Sequence, residues 1–403
     1  MDASGENGGS FTFQDEIVRT LFNDTNESDI DWVVITPPGG IVNQLELTSA
    51  SIQSVELSLH ARNHKFGLIR KWLTSLTSSL LKGSHFKSRA QRRSEYFENQ
   101  LGFLQLDMIW YLGPHPYTQE IPYALTVWDI QHRLQPWFPE VSSNGVWMLR
   151  ELGTTSFIQR ATIIVTGNIV GANQISSAYS IPTDRILVNA LPVPSDAITY
   201  KENPKSSEDI RKWREEVGDF ILYPAQFWPH KNHKVLLDAI AILVSDGDFM
   251  PKLVLTGSDK GNFDYINALV NDLEIDNYVI NLGFISRQDL LYLYTEANAL
   301  VFPSMFGPDN IPPLEAMAVA CPVLVSDDPG MREQLGSAAI YLSPTNPVEW
   351  ENAINDLQQN PKLRQALVMA GHERVNACNS VEYIETIRER ILEFKKIRET
   401  WLR

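Results

Sequence analysis

A lone carboxylate and a lone ammonium group carry the chemistry this sequence suggests. Glu315 follows Pro312 and Pro313 in FGPDNIPPLEAMAVACPVLVSD (306–327). Proline suits the first turn of a helix, where its missing N–H has no partner anyway. Pro312 or Pro313 therefore opens a helix, and Glu315 lies in its first turn. Free N–H groups there favour an anion by a few tenths to about 1 kcal/mol. Glu315 either serves only that dipole or presents its oxygens to the hydroxyls of a ligand. Lys231 lies in ILYPAQFWPHKNHKVLLDAIAIL (221–243), where a strand ends at Pro224 and Lys231 opens the next helix. A cation at a helix start has the wrong sign for the dipole. It is either a surface lysine with a long apolar stem or the partner of a bound anion such as a diphosphate.

Weaker signals lie nearby. In LVLTGSDKGN (253–262) a strand runs into Gly257 and Ser258, a turn that lets backbone approach a ligand. In LGFISRQDLLYLYTEANALVFPS (282–304) a strand, turn and helix lead into the strand before Glu315. WDIQHR (128–133) holds Asp129, to be tested as a nucleophile. It also holds His132, which is either a base or a structural or acceptor-contact residue. Acidic pairs that could hold a metal occur as DID (29–31) and in the SDD run (326–328). Asp29 and Asp31 flank a strand start and read as turn residues, so no metal is expected.

These residues need a scaffold, and the sequence supplies one by alternation. Strands are expected at 32–36, 54–58, 107–111, 123–127, 162–166 and 185–188 in the first half. In the second half they fall at 220–224, 252–257, 278–282, 299–303, 321–326 and 338–342. Helices are expected at 13–22, 231–244, 262–274, 286–296, 312–320, 347–358 and about 380–401. Such alternation means parallel sheets covered on both faces. The fold class is α/β, with two doubly wound Rossmann-like domains and a cleft between them. The boundary follows NALPVPSD (189–196), giving domains at 1–196 and 197–379 and a final helix over 380–403. Ligands of such sheets sit beyond the carboxyl ends of the strands.

Composition narrows the class. A chain of 403 residues with 43% hydrophobic and 21% charged content is an ordinary globular protein of two domains. The N-terminus, MDASGENGGSF, carries no signal pattern, and Cys321 and Cys378 are too few for a disulfide framework. The expected compartment is the cytoplasm. A net charge of -15 argues against nucleic acid as a partner. Between Leu57 and Ser94, however, there is no acid and there are nine cations, with Phe66, Ile69, Trp72 and Leu73 at helical spacing among them. That stretch is either a solvated face or a patch for an anionic acceptor or membrane surface, so peripheral membrane contact through 57–94 is an expectation.

From Ile221 to Ile354 the order and spacing of these features resemble the C-terminal domain of retaining glycosyltransferases of the GT-B fold, family four, the glycogen-synthase-like group (glycosyl transferases group 1). GGSFTFQDEIVRTL, ALTVWDIQHRLQPWFPE and TIIVTGNIVGANQISSAYSIPTDRILV resemble its N-terminal segments more loosely. The resemblance implies transfer of a sugar from a nucleotide-sugar donor to a glycan or lipid-linked acceptor, with retention of configuration and no cofactor. It implies that Glu315 bonds the ribose and Lys231 the diphosphate, with Asp129 and His132 completing the catalytic set. Around the donor it places Gly9, Gln226, His230, Gly257, Ser258, Phe284, Ile285, Asp309, Asn310 and Ile311, with Gly283 flanking the base.

Departures from the family pattern put substrate recognition in doubt more than nucleotide binding. Gly307 stands where the family has a second glutamate, eight residues before Glu315, and Asp309 and Asn310 are the nearby substitutes. Gln226 replaces an arginine, a loss for which His230 compensates in part. Trp128 replaces a histidine before Asp129. The family's first strand has no room before Gly9. Either the chain is a shortened version of a longer product or its first sheet is incomplete, and a weakened N-terminal domain is expected. A nucleotide-sugar epimerase and a non-catalytic sugar-nucleotide or glycan binder are the rival readings.

Overall fold

The computed structural model describes residues 8–23, 29–36, 52–57, 89–114, 116–118, 120–247 and 251–401. The expected basic patch falls mostly outside them: nothing is described for 58–88, and for 89–93 only the backbone. The N-terminal domain contains α1 (Gly9–Asn23), β1 (Val33–Thr36), β2 (Gln53–Glu56), α2 (Arg89–Leu101), β3 (Ile109–Tyr111) and β4 (Tyr123–Thr126). It continues with α3 (Gln131–Leu134), α4 (Pro139–Ser142), α5 (Val146–Ile158), β5 (Ile163–Thr166), α6 (Ile169–Tyr179) and β6 (Ile186–Val188). Short helices α7 (Ser195–Thr199) and α8 (Glu208–Val217) lead onward.

The C-terminal domain alternates β7 (Phe220–Pro224), α9 (His233–Asp246), β8 (Lys252–Thr256), α10 (Phe263–Asp272), β9 (Val279–Asn281) and α11 (Arg287–Glu296). Then come β10 (Leu300–Phe302), α12 (Ile311–Ala318), β11 (Val323–Ser326), α13 (Pro329–Leu335), β12 (Ala339–Leu342), α14 (Pro347–Gln359), α15 (Pro361–Asn376) and α16 (Ser380–Arg398). All twelve expected strands are present. Among the helices, α13 and α15 of this domain and α2 to α5 of the N-terminal one were not expected.

The C-terminal sheet is parallel throughout, in the order β12-β11-β10-β7-β8-β9. Its central strands are apolar and β-branched because helices cover both faces; Leu222, Val254, Val301 and Leu324 are fully buried. The strand order reverses between β7 and β10. At that switch point the loops leaving the two carboxyl ends part and open a crevice. Helix α16 runs back onto the N-terminal domain. There Tyr383 meets Phe13 of α1 edge to face, with 5.6 Å between ring centroids.

The N-terminal domain is split. Strands β3-β4-β5-β6 form one parallel sheet and β1-β2 a separate parallel pair. Between the outer edges of β1 and β3 lies a cavity of about 1080 Å³, lined by Val33–Thr36, Met108–Tyr111, faces of α1 and the end of α16. Trp32 and Trp110 approach across it, 6.3 Å between centroids. No described strand occupies it, and sheet edges left unpaired inside a domain are unfavourable.

Candidate active site

The crevice at the β7–β10 switch point is a cavity of about 290 Å³ between the domains. It is lined by Trp128, Asp129, Glu140, Val141 and Arg150 from one side and by Trp228, His230, Lys231, Phe306, Gly307, Asp309 and Asn310 from the other. Lys231 reaches it from the loop after β7. It lies in a 3-10 turn, Pro229–Lys231, and Asn232 takes a left-handed φ of 54° before α9 begins at His233. Lys231 therefore precedes the helix and does not open it, because the left-handed residue breaks the helical path.

The Lys231 ammonium donates to Ser304 Oγ at 3.3 Å and lies 5.0 Å from the Phe302 ring centroid. It has no ion-pair partner among the described residues. Burial holds it down to about 8, although the charges of Asp129 and Glu140 pull the other way. A cation placed so is poised for an anion to complete it.

The loop after β10 carries the next group. Asn310 precedes α12, and Gln334 pins its backbone through two 2.9 Å hydrogen bonds. Ile311 opens the helix, so Pro312 and Pro313 are its second and third residues and Glu315 is one or two positions further in than expected. Ile311 Cδ1 lies 3.9 Å from where a Cβ on Gly9 would stand, which brings those two expected donor-site residues together across the domains.

Asp309 is pressed against the N-terminal domain. A Cβ on Gly167 would come within 1.6 Å of its Oδ2, an oxygen shut from solvent and without a hydrogen-bond partner among the described residues. Burial, with Asp129 and Glu333 nearby, raises this carboxyl to about 7 from an ordinary 3.8. A raised acid binds its proton more tightly in the folded state, so stability falls as pH climbs from about 4 to about 7 and stays reduced above. Asp309→Asn, which cannot ionise, is expected to be stabilised relative to wild type by about 2 kcal/mol more at pH 8 than at pH 5. Thermal melts of both proteins at the two pH values test this, and a pH-independent difference would contradict it.

Glu315 is buried, 3% exposed, and its oxygens are already engaged. Arg287 donates to Oε1 and Tyr294 Oη to Oε2 at 3.2 Å. Arg287 also holds Asp196 at 2.9 and 2.8 Å. Glu315 does not line the 290 Å³ cavity. Gly257, at φ 144°, is a glycine because a Cβ would fall 2.3 Å from Ala225 O. Its N–H donates to Gly283 O at 2.8 Å, and Phe227 N–H donates to Ser258 O at 3.1 Å. These bonds tie the loops after β7, β8 and β9 into one ledge, and Gly257, Ser258, Phe284 and Ile285 do not line the 290 Å³ cavity. Gln226 accepts from Trp228 Nε1 at 3.0 Å, Ile285 is half-buried and Phe284 is exposed on the same ledge.

Two expectations are corrected. His132 does not reach the cavity. It is fully buried, with Nε2 3.1 Å from Glu151 Oε2 and 3.2 Å from Tyr179 Oη. Burial and the Arg150 charge lower its pKa, so it is a neutral core histidine. His230 does not replace the lost arginine, because burial lowers it to about 4 and leaves it uncharged near neutral pH. Asp129 stays at the cavity, where Oδ1 accepts from Gln131 N–H at 2.8 Å and from Arg150 Nη2 at 3.1 Å.

Sequence reasoning missed Arg150 and Glu140. A lone arginine within the 13-residue α5 and a lone glutamate on the 4-residue α4 give no local signal. Asp29 and Asp31 line the other cavity, Asp327 pairs with Arg332, and Asp328 caps α13 by accepting from Gly330 N–H at 2.8 Å.

Residues 205–374 match the family model "Glycosyl transferases group 1". Over 214 residues the chain is 29% identical to the O-antigen chain mannosyltransferase RfbU of Salmonella typhimurium, covering 51% of this chain and 53% of that protein. Over 193 residues it is 28% identical to O-antigen chain mannosyltransferase B of Escherichia coli, covering 47% and 49%. The chain thus spans about half the length of the curated relatives it matches. The crystal structure of Anabaena Alr3699/HepE in complex with UDP superposes with a TM-score of 0.67 at 16% identity, covering 97% of this chain and 98% of that one. A glycosyltransferase from Rickettsia africae gives 0.65 at 15% identity, covering 98% and 96%. The architecture is the GT-B fold.

Proposed function

We propose that this protein is a glycosyltransferase that moves a hexose from a nucleotide-diphosphate sugar to a hydroxyl of a glycan or lipid-linked acceptor, with retention of configuration and without a metal. The observation that carries the reading is Lys231, an ammonium without an ion-pair partner among the described residues, at the switch point of the sheet. The O-antigen mannosyltransferases among its relatives support a hexose and a surface-polysaccharide acceptor. Breaking the bond from the anomeric carbon to the diphosphate leaves positive character on the sugar and negative charge on the phosphate. Lys231, with the N-terminus of α12 nearby, stabilises that leaving charge. The leaving phosphate then takes the acceptor's proton on the face it vacates, and domain closure excludes water.

A second reading, a nucleotide-sugar binder without transfer, is favoured by one contact: Arg287 and Tyr294 already hold the Glu315 carboxylate. Incubation with uridine- and guanosine-linked hexoses, with and without a mixture of lipid-linked and free glycans, separates the two. Acceptor-dependent release of nucleoside diphosphate supports transfer. Binding without release supports the second reading.

The Lys231 ammonium sets a pH signature. In the free protein it loses its proton as pH rises through about 8, whereas a bound diphosphate holds the proton on. Affinity for a nucleoside diphosphate is therefore expected to be level below pH 8 and to weaken about tenfold per pH unit above it. Calorimetric titration between pH 6.5 and 9.5 checks this. Affinity level across the range would separate Lys231 from the phosphate.

A further inference from the structure

We infer that Glu140 is a positioning residue: the N-terminal domain uses it to clasp the turn that carries Lys231, so the anion seat is complete only when the domains are closed. The inference rests on the reading above for its ligand, and on geometry for its mechanism. Glu140 Oε1 accepts the backbone N–H of His230 at 3.0 Å and lies 2.5 Å from His230 Nδ1. Two groups one residue from Lys231 are thus held by one carboxylate of the other domain. The side chains are 6% and 12% exposed, so water competes poorly for these bonds.

A second grip lies alongside. The His230 ring stacks on Phe306 at 4.1 Å between centroids and 11°, and Phe138 meets Phe306 edge to face at 4.9 Å. Gln135 Nε2 donates to Met305 O at 2.6 Å, and Met305 N–H donates to His230 O at 2.9 Å. Ser304, which accepts from Lys231, stands next to Met305. Both loops that flank the ammonium are therefore tied to α4 and to Gln135, just past the end of α3, in the N-terminal domain. The carboxylate also fixes the ring. With Nδ1–H donated to Glu140, Nε2 keeps its lone pair.

Calorimetry with uridine and guanosine diphosphate, and small-angle scattering of the ligand-free protein, test the clasp on wild type, Glu140→Gln and Glu140→Ala. Glu140→Ala is expected to bind about tenfold more weakly and to show a larger radius of gyration. The ring-nitrogen shifts of His230 should move away from the Nδ1–H tautomer. Glu140→Gln keeps an acceptor oxygen and should recover most of the affinity. Wild-type radius and affinity in Glu140→Ala would overturn the inference. If Glu140→Ala does not fold, Gln135→Ala, which cuts only the Met305 bond, must shift both readouts in the same direction; no shift overturns it. Wild type that binds neither nucleotide defeats the functional reading instead, and the scattering comparison still decides the clasp.

Discussion

Replacing Lys231 by alanine is expected to lower kcat/KM for sugar transfer by about 10²- to 10³-fold, a loss of roughly 3–4 kcal/mol of transition-state stabilisation. The reason is charge development. A diphosphate gains negative charge as the glycosidic bond breaks, and Lys231 is the ammonium at the strand ends where that charge would appear. Its interaction strengthens toward the transition state, so kcat should fall more than the donor KM rises. Lys231→Arg keeps the charge but needs room for a planar group against Phe302 and Ser304, and should restore only part of the rate. Initial rates of nucleoside diphosphate release for the three proteins check the order wild type, arginine, alanine. A rate within threefold of wild type in Lys231→Ala would remove Lys231 from the chemistry.

Replacing Arg287 by methionine is expected to destabilise the protein by about 3–5 kcal/mol, because Glu315 would be left buried and unpaired. Glu315 is 3% exposed and takes its counter-charge from Arg287, which also binds Asp196 beside the linker. The double variant Arg287→Met, Glu315→Leu should regain much of that loss, since the buried charge leaves with its partner. Equal Tm values for Arg287→Met and wild type would contradict the pairing. Glu315→Gln asks whether the carboxylate also serves a ribose. More than tenfold weaker nucleoside diphosphate binding would assign it that role beside its structural one, and unchanged binding would leave it structural.

Most central strands were readable because they are apolar runs buried on both faces, a pattern that local composition records, although β2 (QSVE) is largely exposed. Runs such as FILYP and ALVFP need no knowledge of their neighbours. The position of Lys231 was readable for the same reason, because it follows from where a strand ends. Partners were not readable. Glu140 and His230 are 90 positions apart and meet only because two domains close. Arg287 and Glu315 meet because α11 and α12 pack side by side, and nothing in SRQDLL announces it. His132 was misjudged for a related reason. Its position near Asp129 suggested a cleft residue, but its side chain turns inward to Glu151 and Tyr179. The cavity between β1 and β3 comes from how α1, the end of α16 and the two sheet edges pack, which no local run of residues records.

The most direct test of the central claim is calorimetric titration of wild type and Lys231→Ala with a panel of nucleoside mono- and diphosphates at pH 7. The account predicts that one diphosphate binds wild type, that its monophosphate binds much more weakly, and that Lys231→Ala removes the difference between them. Equal binding of mono- and diphosphate by wild type, or an undiminished preference in Lys231→Ala, would contradict it.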